Sequence, residues 1–102
     1  MERINELTGL YCEEAFFEEV ERFLQTTDEK IYCMIAIDVE HFRLYNQLHG
    51  WEEGDNLLRF IAEMLRTYRV AQGGVIGYLG GDNFALVTEY KKWAVFRYEW
   101  KQ

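Results

Sequence analysis

A mixed helix and strand chain is what the sequence predicts, and three observations predict it. Apolar residues recur at helical spacing in two long stretches, one short run is apolar at every position, and two strand-like runs are joined across Gly80-Gly81-Asp82-Asn83. Helices alternating with such strands imply a central sheet flanked by helices, the α/β or α+β class. At 102 residues, 49% hydrophobic and 17% aromatic, the chain has enough apolar material for one core, so 1–102 reads as a single domain.

The elements follow in order after a lead-in, 1–10. Over 11–24, Phe16, Val20, Phe23 and Leu24 fall on one helical face while Glu13, Glu14, Glu18, Glu19 and Glu21 fill most of the other. Thr26, Thr27 and Asp28 interrupt that pattern. Residues 31–37, IYCMIAI, form a continuous apolar run of strand length, expected to be buried on both faces and central or nearly so in the sheet. A short helix is expected over 40–48. A longer one is expected over 55–68, with Leu57, Leu58, Ile61, Met64, Leu65 and Tyr68 facing the core. Gly73-Gly74 stops it, and 75–79 and 84–89 form a hairpin. In the aromatic tail, 91–102, Phe96, Tyr98 and Trp100 alternate as a strand would, yet Trp93, Phe96 and Trp100 also share a helical face, so periodicity does not decide.

Composition excludes several function classes. A net charge of −7 argues against tracking along nucleic acid, where Lys and Arg contacts to phosphate supply most of the affinity. No run of 18 apolar residues suggests a membrane span, and MERINELTGL lacks the basic-then-apolar pattern of a secretion signal, so a cytoplasmic protein is expected. Cys12 and Cys33 match no metal or redox spacing and read as buried thiols.

Two carboxylates stand where chemistry is easily built. Asp38 closes the apolar strand and Asp82 lies at the hairpin tip, so the two are expected at one end of the sheet. Hard divalent cations take oxygen ligands, commonly one or two carboxylates together with substrate phosphates. Gly80 and Gly81 lack a Cβ that would keep a phosphate from the backbone. A Gly-rich hairpin beside a solvated strand-end Asp accounts for the same residues.

Three ordered blocks add to this. NELTGL (5–10), IDVEHFRLYNQLHGWEEGD (37–55) and YLGGDNF (78–84) together resemble the GGDEF family of diguanylate cyclase domains. That family carries D-x-L-T-G-L, then D-x-D-x-F-K-x-x-N-D-x-x-G-H-x-x-G-D, then R-x-G-G-[DE]-E-F. The resemblance implies a palm-like, nucleotide-cyclase-type sheet and the condensation of two GTP molecules into cyclic di-GMP between two domains. It implies a Mg2+ site at Asp38, the Val39 carbonyl and Asp82, with Asp82 also at the family's catalytic acidic position. It implies phosphate contacts at Gly80 and Gly81, with Phe42 and Arg43 matching the family's Phe-Lys pair. Asn46 and Asp55 match the residues that bond guanine, and an amide and a carboxylate suit its O6 acceptor and N1/N2 donors. Apart from the resemblance, Asp55 equally suits a helix N-cap after Gly54, and Asn46 a solvated face.

Departures from the family pattern shape the expected function. Asn83 replaces a glutamate, so a carboxylate of the catalytic and metal position has become a neutral amide with one oxygen to offer. Tyr78 replaces an arginine, Trp51 a histidine and Glu40 the second aspartate of D-x-D. The product-binding R-x-x-D of the family falls on Ala71 to Gly74, which reads AQGG. The family domain continues with a helix and a strand beside the first strand, so the 31–37 edge is expected to be covered by the tail or by a second copy. The expectation is a degenerate, catalytically impaired module that binds GTP or another guanine nucleotide weakly. Homodimerisation or a partner signalling domain fits such a module, and an active diguanylate cyclase or a fragment of one is the alternative.

Overall fold

A computed structural model of the chain describes residues 2–26 and 30–90. The element order is α1 (Glu13–Gln25), β1 (Tyr32–Ile37), α2 (Phe42–His49), α3 (Trp51–Gln72), β2 (Val75–Gly80) and β3 (Asn83–Glu89). All three strands join one antiparallel sheet in the order β1-β3-β2. The mixed class and the glycine-turned hairpin are as the sequence predicts. Asp28 and the 91–102 tail lie outside the described residues.

Strand alternation divides the core in two. Val75, Ala85 and Val87 turn to one face and pack with Phe16 of α1, where Val20 and Phe23 join them. Ile76, Phe84 and Leu86 turn to the other and pack with Leu58, Ala62 and Leu65 of α3. The register matches this division, pairing Gly77 with Ala85 on the α1 face and Ile76 with Leu86 on the α3 face. Phe16 and Phe84, at 0% and 1% exposure, anchor the two halves, each worth about 1.5–3 kcal/mol of burial. Gly77 is required by this packing, because a Cβ there would stand 2.6 Å from the Phe16 ring.

The segment before α1 is a built loop. Asn5 Oδ1 accepts from the Thr8 backbone N–H at 2.9 Å and from Thr8 Oγ1 at 3.0 Å, while Thr8 Oγ1 accepts from the Leu10 N–H. An arginine of α3, Arg66, donates to the Thr8 carbonyl and pins the loop. Tyr11 then bridges to Gly77, and its carbonyl accepts from the Tyr78 N–H at 2.9 Å, so the loop dresses the outer edge of β2.

Four expectations are corrected. Within the described residues β1 is an edge strand, paired only to β3, with Met34 50% and Ile35 41% exposed and Ile31, just before it, 72%. An apolar run cannot by itself tell a strand sandwiched between helices from one whose flanks are open. The long helix begins at Trp51 behind Gly50 and runs to Gln72, so Asp55 lies inside it and is no N-cap. Met64, placed in the core stripe by spacing, is 53% exposed, its place in the core taken by Ala62 at 0%. Both cysteines are free thiols that are half-buried rather than buried.

Candidate functional site

Asp38 and the hairpin tip meet at one end of the sheet. The last ladder pair of β1 and β3 is Ile37 with Phe84, so Asp38 and Asn83 stand one residue beyond it, on neighbouring strands. The backbone N–H of Val39 donates to Asp82 Oδ2 at 3.0 Å, tying the tip to the end of β1. The Val39 carbonyl, read from sequence as a metal ligand, accepts from the Phe42 N–H at 3.2 Å and retains one lone pair for a cation. Asp38 and Asn83 are exposed, and Asp82 is half-buried.

The tip owes its shape to glycine. Gly80 and Gly81 have φ of +100° and +57°, a consecutive pair that L side chains rarely adopt. A register shift between Tyr78 and Gly80 places a bulge just before the turn, a device that re-aims the chain at the end of a ladder. Nothing lies within 4 Å of the space a Gly80 Cβ would fill, so the backbone there is open to an approaching group.

The second half of the site sits where α2 packs on α3. Asn46 of α2 is 6% exposed, and its side-chain Oδ1 is buried with no hydrogen-bond partner. Its amide lies against Gly54: a Cβ at that position would stand within 2.8 Å of the Asn46 Cγ. Asp55 follows on the same turn of α3, half-buried. Sequence reading leaves Asn46 open between a solvated face and a ligand-bonding residue; the structure removes it from the solvated face. The need for glycine at 54 was not legible, since only the packing of two helices brings the positions together. Phe42 is a core residue beneath the site, packed on the cluster around Phe84, and Arg43 is exposed on the first turn of α2.

Tyr78 joins the two halves. Its ring lies 5.1 Å from that of Phe84 at 48°, and its hydroxyl donates to the Gly81 carbonyl at 2.6 Å. Burial, then the charges of Asp55 and Asp82, raise its pKa above the usual tyrosine value, so the phenol stays neutral and a donor. Both carboxylates therefore act on one hydroxyl.

A divalent cation would find oxygen donors here: two carboxylates, one carbonyl and the Asn83 amide. Among the described residues no three His, Cys, Asp or Glu side chains converge as a metal cluster. The set suits Mg2+ that arrives with phosphates supplying further ligands, and is thin for a cation held by protein alone. Two surface depressions among the described residues lie elsewhere, one of about 570 Å³ lined by Glu2, Asn5, Glu6, Leu7 and Arg59, the other of about 270 Å³ beside Tyr11, Arg66 and Arg69.

Comparison with known proteins agrees with this geometry. Residues 3–94 match the family described as diguanylate cyclase, GGDEF domain. Diguanylate cyclase VdcA of Vibrio cholerae is 30% identical over 92 residues, covering 89% of this chain and 26% of that protein. Diguanylate cyclase DgcP of Escherichia coli is 40% identical over 86 residues, covering 80% and 24%. Cyclic di-GMP phosphodiesterase NbdA of Pseudomonas aeruginosa is 29% identical over 91 residues, covering 87% and 12%. The chain thus spans about a quarter or less of the length of these relatives. The solved GGDEF domain of DgcB from Caulobacter crescentus, in complex with c-di-GMP, superposes with a TM-score of 0.75 at 26% identity, over 94% of this chain and 57% of that one. With the Gly-Gly turn, the strand-end aspartate and the family match falling on the same residues, this chain belongs to the GGDEF domain family.

Proposed function

We propose that the chain is a GGDEF module of cyclic di-GMP signalling that binds a guanine nucleotide weakly and has lost efficient cyclisation, acting on a partner signalling domain or as a homodimer. The observation that carries this reading is the tip itself: Asp82 is held to β1 by Val39, Asp38 is adjacent, and the next position is the neutral Asn83. The fold of a nucleotide site is kept while one charge is missing.

Each residue then has a task. Asn46 and Asp55 read the guanine edge, the Asn46 amide N–H donating to O6 and the Asp55 carboxylate accepting from N1 and N2. Gly80 and Gly81 let phosphate oxygens approach the backbone, and Arg43 stands at the matching position of a phosphate-side lysine. Asp38, Asp82 and the Val39 carbonyl would hold Mg2+, which when bound neutralises phosphate charge. The two remaining carboxylates leave that hold weak. No helix among the described residues is long and apolar enough to cross a membrane, and the reading places the module in the cytoplasm, where GTP is available.

Calorimetry with GTP and Mg2+, alongside an assay for cyclic di-GMP on the purified chain, tests the proposal. Micromolar or weaker GTP binding without product supports it. Product formation at an ordinary cyclase rate would replace it with the active-cyclase reading, which the similarity to two named diguanylate cyclases favours. Absence of any nucleotide binding would leave a dimerisation or docking module.

A further inference from the structure

We infer that Tyr78 is a positioning residue, a clamp that sets the backbone of the Gly80-Gly81-Asp82 turn for phosphate. The inference rests on the nucleotide-binding reading above and adds a residue that the family pattern, with arginine at this place, does not supply.

The turn has little to hold it from within. Gly80 and Gly81 carry no side chains, both adopt positive φ, and a Cβ at Gly81 would meet nothing nearer than the Asn83 amide at 3.9 Å. Two side-chain bonds instead fix it from outside. Asp82 accepts from the Val39 N–H, which sets the turn against β1, and the Tyr78 hydroxyl donates to the Gly81 carbonyl, which sets it against β2. The Tyr78 ring is itself located by Phe84, a 1%-exposed side chain at the centre of the α3-face core. Order therefore passes from the core through one phenol to the peptide that links Gly81 to Asp82. Phenylalanine would keep the ring contact and lose only that last step. A glycine pair without the clamp samples more backbone conformations, and a phosphate would have to select among them, which weakens binding.

The clamp and the nucleotide reading fail in distinguishable ways, because one of two measurements needs no nucleotide. In the ligand-free chain, Tyr78→Phe is expected to speed amide hydrogen exchange at Gly81, Asp82 and Asn83 at least threefold, while amides of α3 are unchanged. In calorimetry with Mg2+ present, Tyr78→Phe is expected to lower GTP affinity about three- to tenfold, the range of one net hydrogen bond, and to leave guanosine affinity within twofold. A merely structural role would weaken both ligands together and raise exchange throughout. Unchanged exchange at the turn, or equal losses for GTP and guanosine, would overturn the clamp. Faster exchange at the turn in a chain that binds neither ligand would keep the clamp as a feature of the hairpin and overturn its assignment to phosphate.

Discussion

The backbone N–H of Val39 and the carboxylate of Asp82 are joined by a 3.0 Å hydrogen bond across 43 residues of chain. The bond spans the end of the sheet, so the same carboxylate that would serve a cation also fastens the hairpin tip. An unpaired N–H in this partly buried place costs free energy, and an acceptor with charge is the stronger partner. Asp82→Ala is therefore expected to lower unfolding stability by about 1 kcal/mol, read from urea denaturation. Asp82→Asn retains an acceptor oxygen and should lose less, yet weaken Mg2+-dependent GTP binding as much as Ala. Equal stability of wild type and Asp82→Ala would show that the bond contributes nothing.

Asn46 and Gly54 make the second prediction. Ala for Gly inside a helix ordinarily stabilises by about 1 kcal/mol. Here the added Cβ would overlap the Asn46 amide, so Gly54→Ala is expected to destabilise by about 1–3 kcal/mol, the cost of an overpacked contact. Asn46→Ala removes both the obstacle and a buried acceptor without a partner, so the double variant should recover most of the loss. Thermal unfolding of the four chains closes the cycle. Additive effects would mean that the two residues do not touch in solution.

Much of this was legible in the sequence, and the exceptions have a common cause. The helices, the glycine stops and the hairpin follow from spacing and turn chemistry, both local properties. Placement of Asp38 beside the 80–83 turn followed from a strand end and a strand-joining tip. What local pattern did not carry was three-dimensional neighbourhood: that β1 stands open at the sheet edge, whether Met64 or Ala62 faces inward, and that Gly54 must make room for Asn46. Tyr78 was legible as a departure from an arginine, but the destination of its hydroxyl depends on the bulge at Leu79-Gly80. Asp55 shows the opposite error: Gly54-Asp55 looks like a helix start, yet the cap is Gly50 and the helix tolerates glycine because packing requires it.

Tyr78 also makes a pH prediction. Its pKa is raised above 10 in the folded chain by burial and by Asp55 and Asp82, whereas an unfolded chain would lose that proton at the ordinary value. Above about pH 10 the unfolded state therefore binds fewer protons than the native state at this residue, and stability falls as pH rises. The contribution is complete below that pH and is lost through the folded pKa. Urea unfolding between pH 8 and 11 should show a downward slope that is shallower in Tyr78→Phe, with the other tyrosines common to both chains. Parallel slopes would remove Tyr78 from the account.

The Asn83 position carries the last prediction. Asn83→Glu returns a carboxylate next to Asp38, one residue beyond the final ladder pair, and the exposure of the position leaves room for the longer side chain. A third anionic oxygen ligand should strengthen Mg2+-dependent GTP binding about five- to tenfold, on the order of 1 kcal/mol, as one added charge at an exposed site supplies. Without Mg2+ the same charge repels the triphosphate, so the variant should then bind GTP more weakly than wild type. Cyclisation asks for more: two loaded sites face to face and positive charge at the reacting phosphate, and Tyr78 is neutral where the family pattern has an arginine. The variant is accordingly expected to gain affinity without measurable cyclic di-GMP. Calorimetry with and without Mg2+ and a product assay read the two halves separately. Unchanged affinity would mark the turn as structural, and restored synthesis would mean that Asn83 alone had silenced the site.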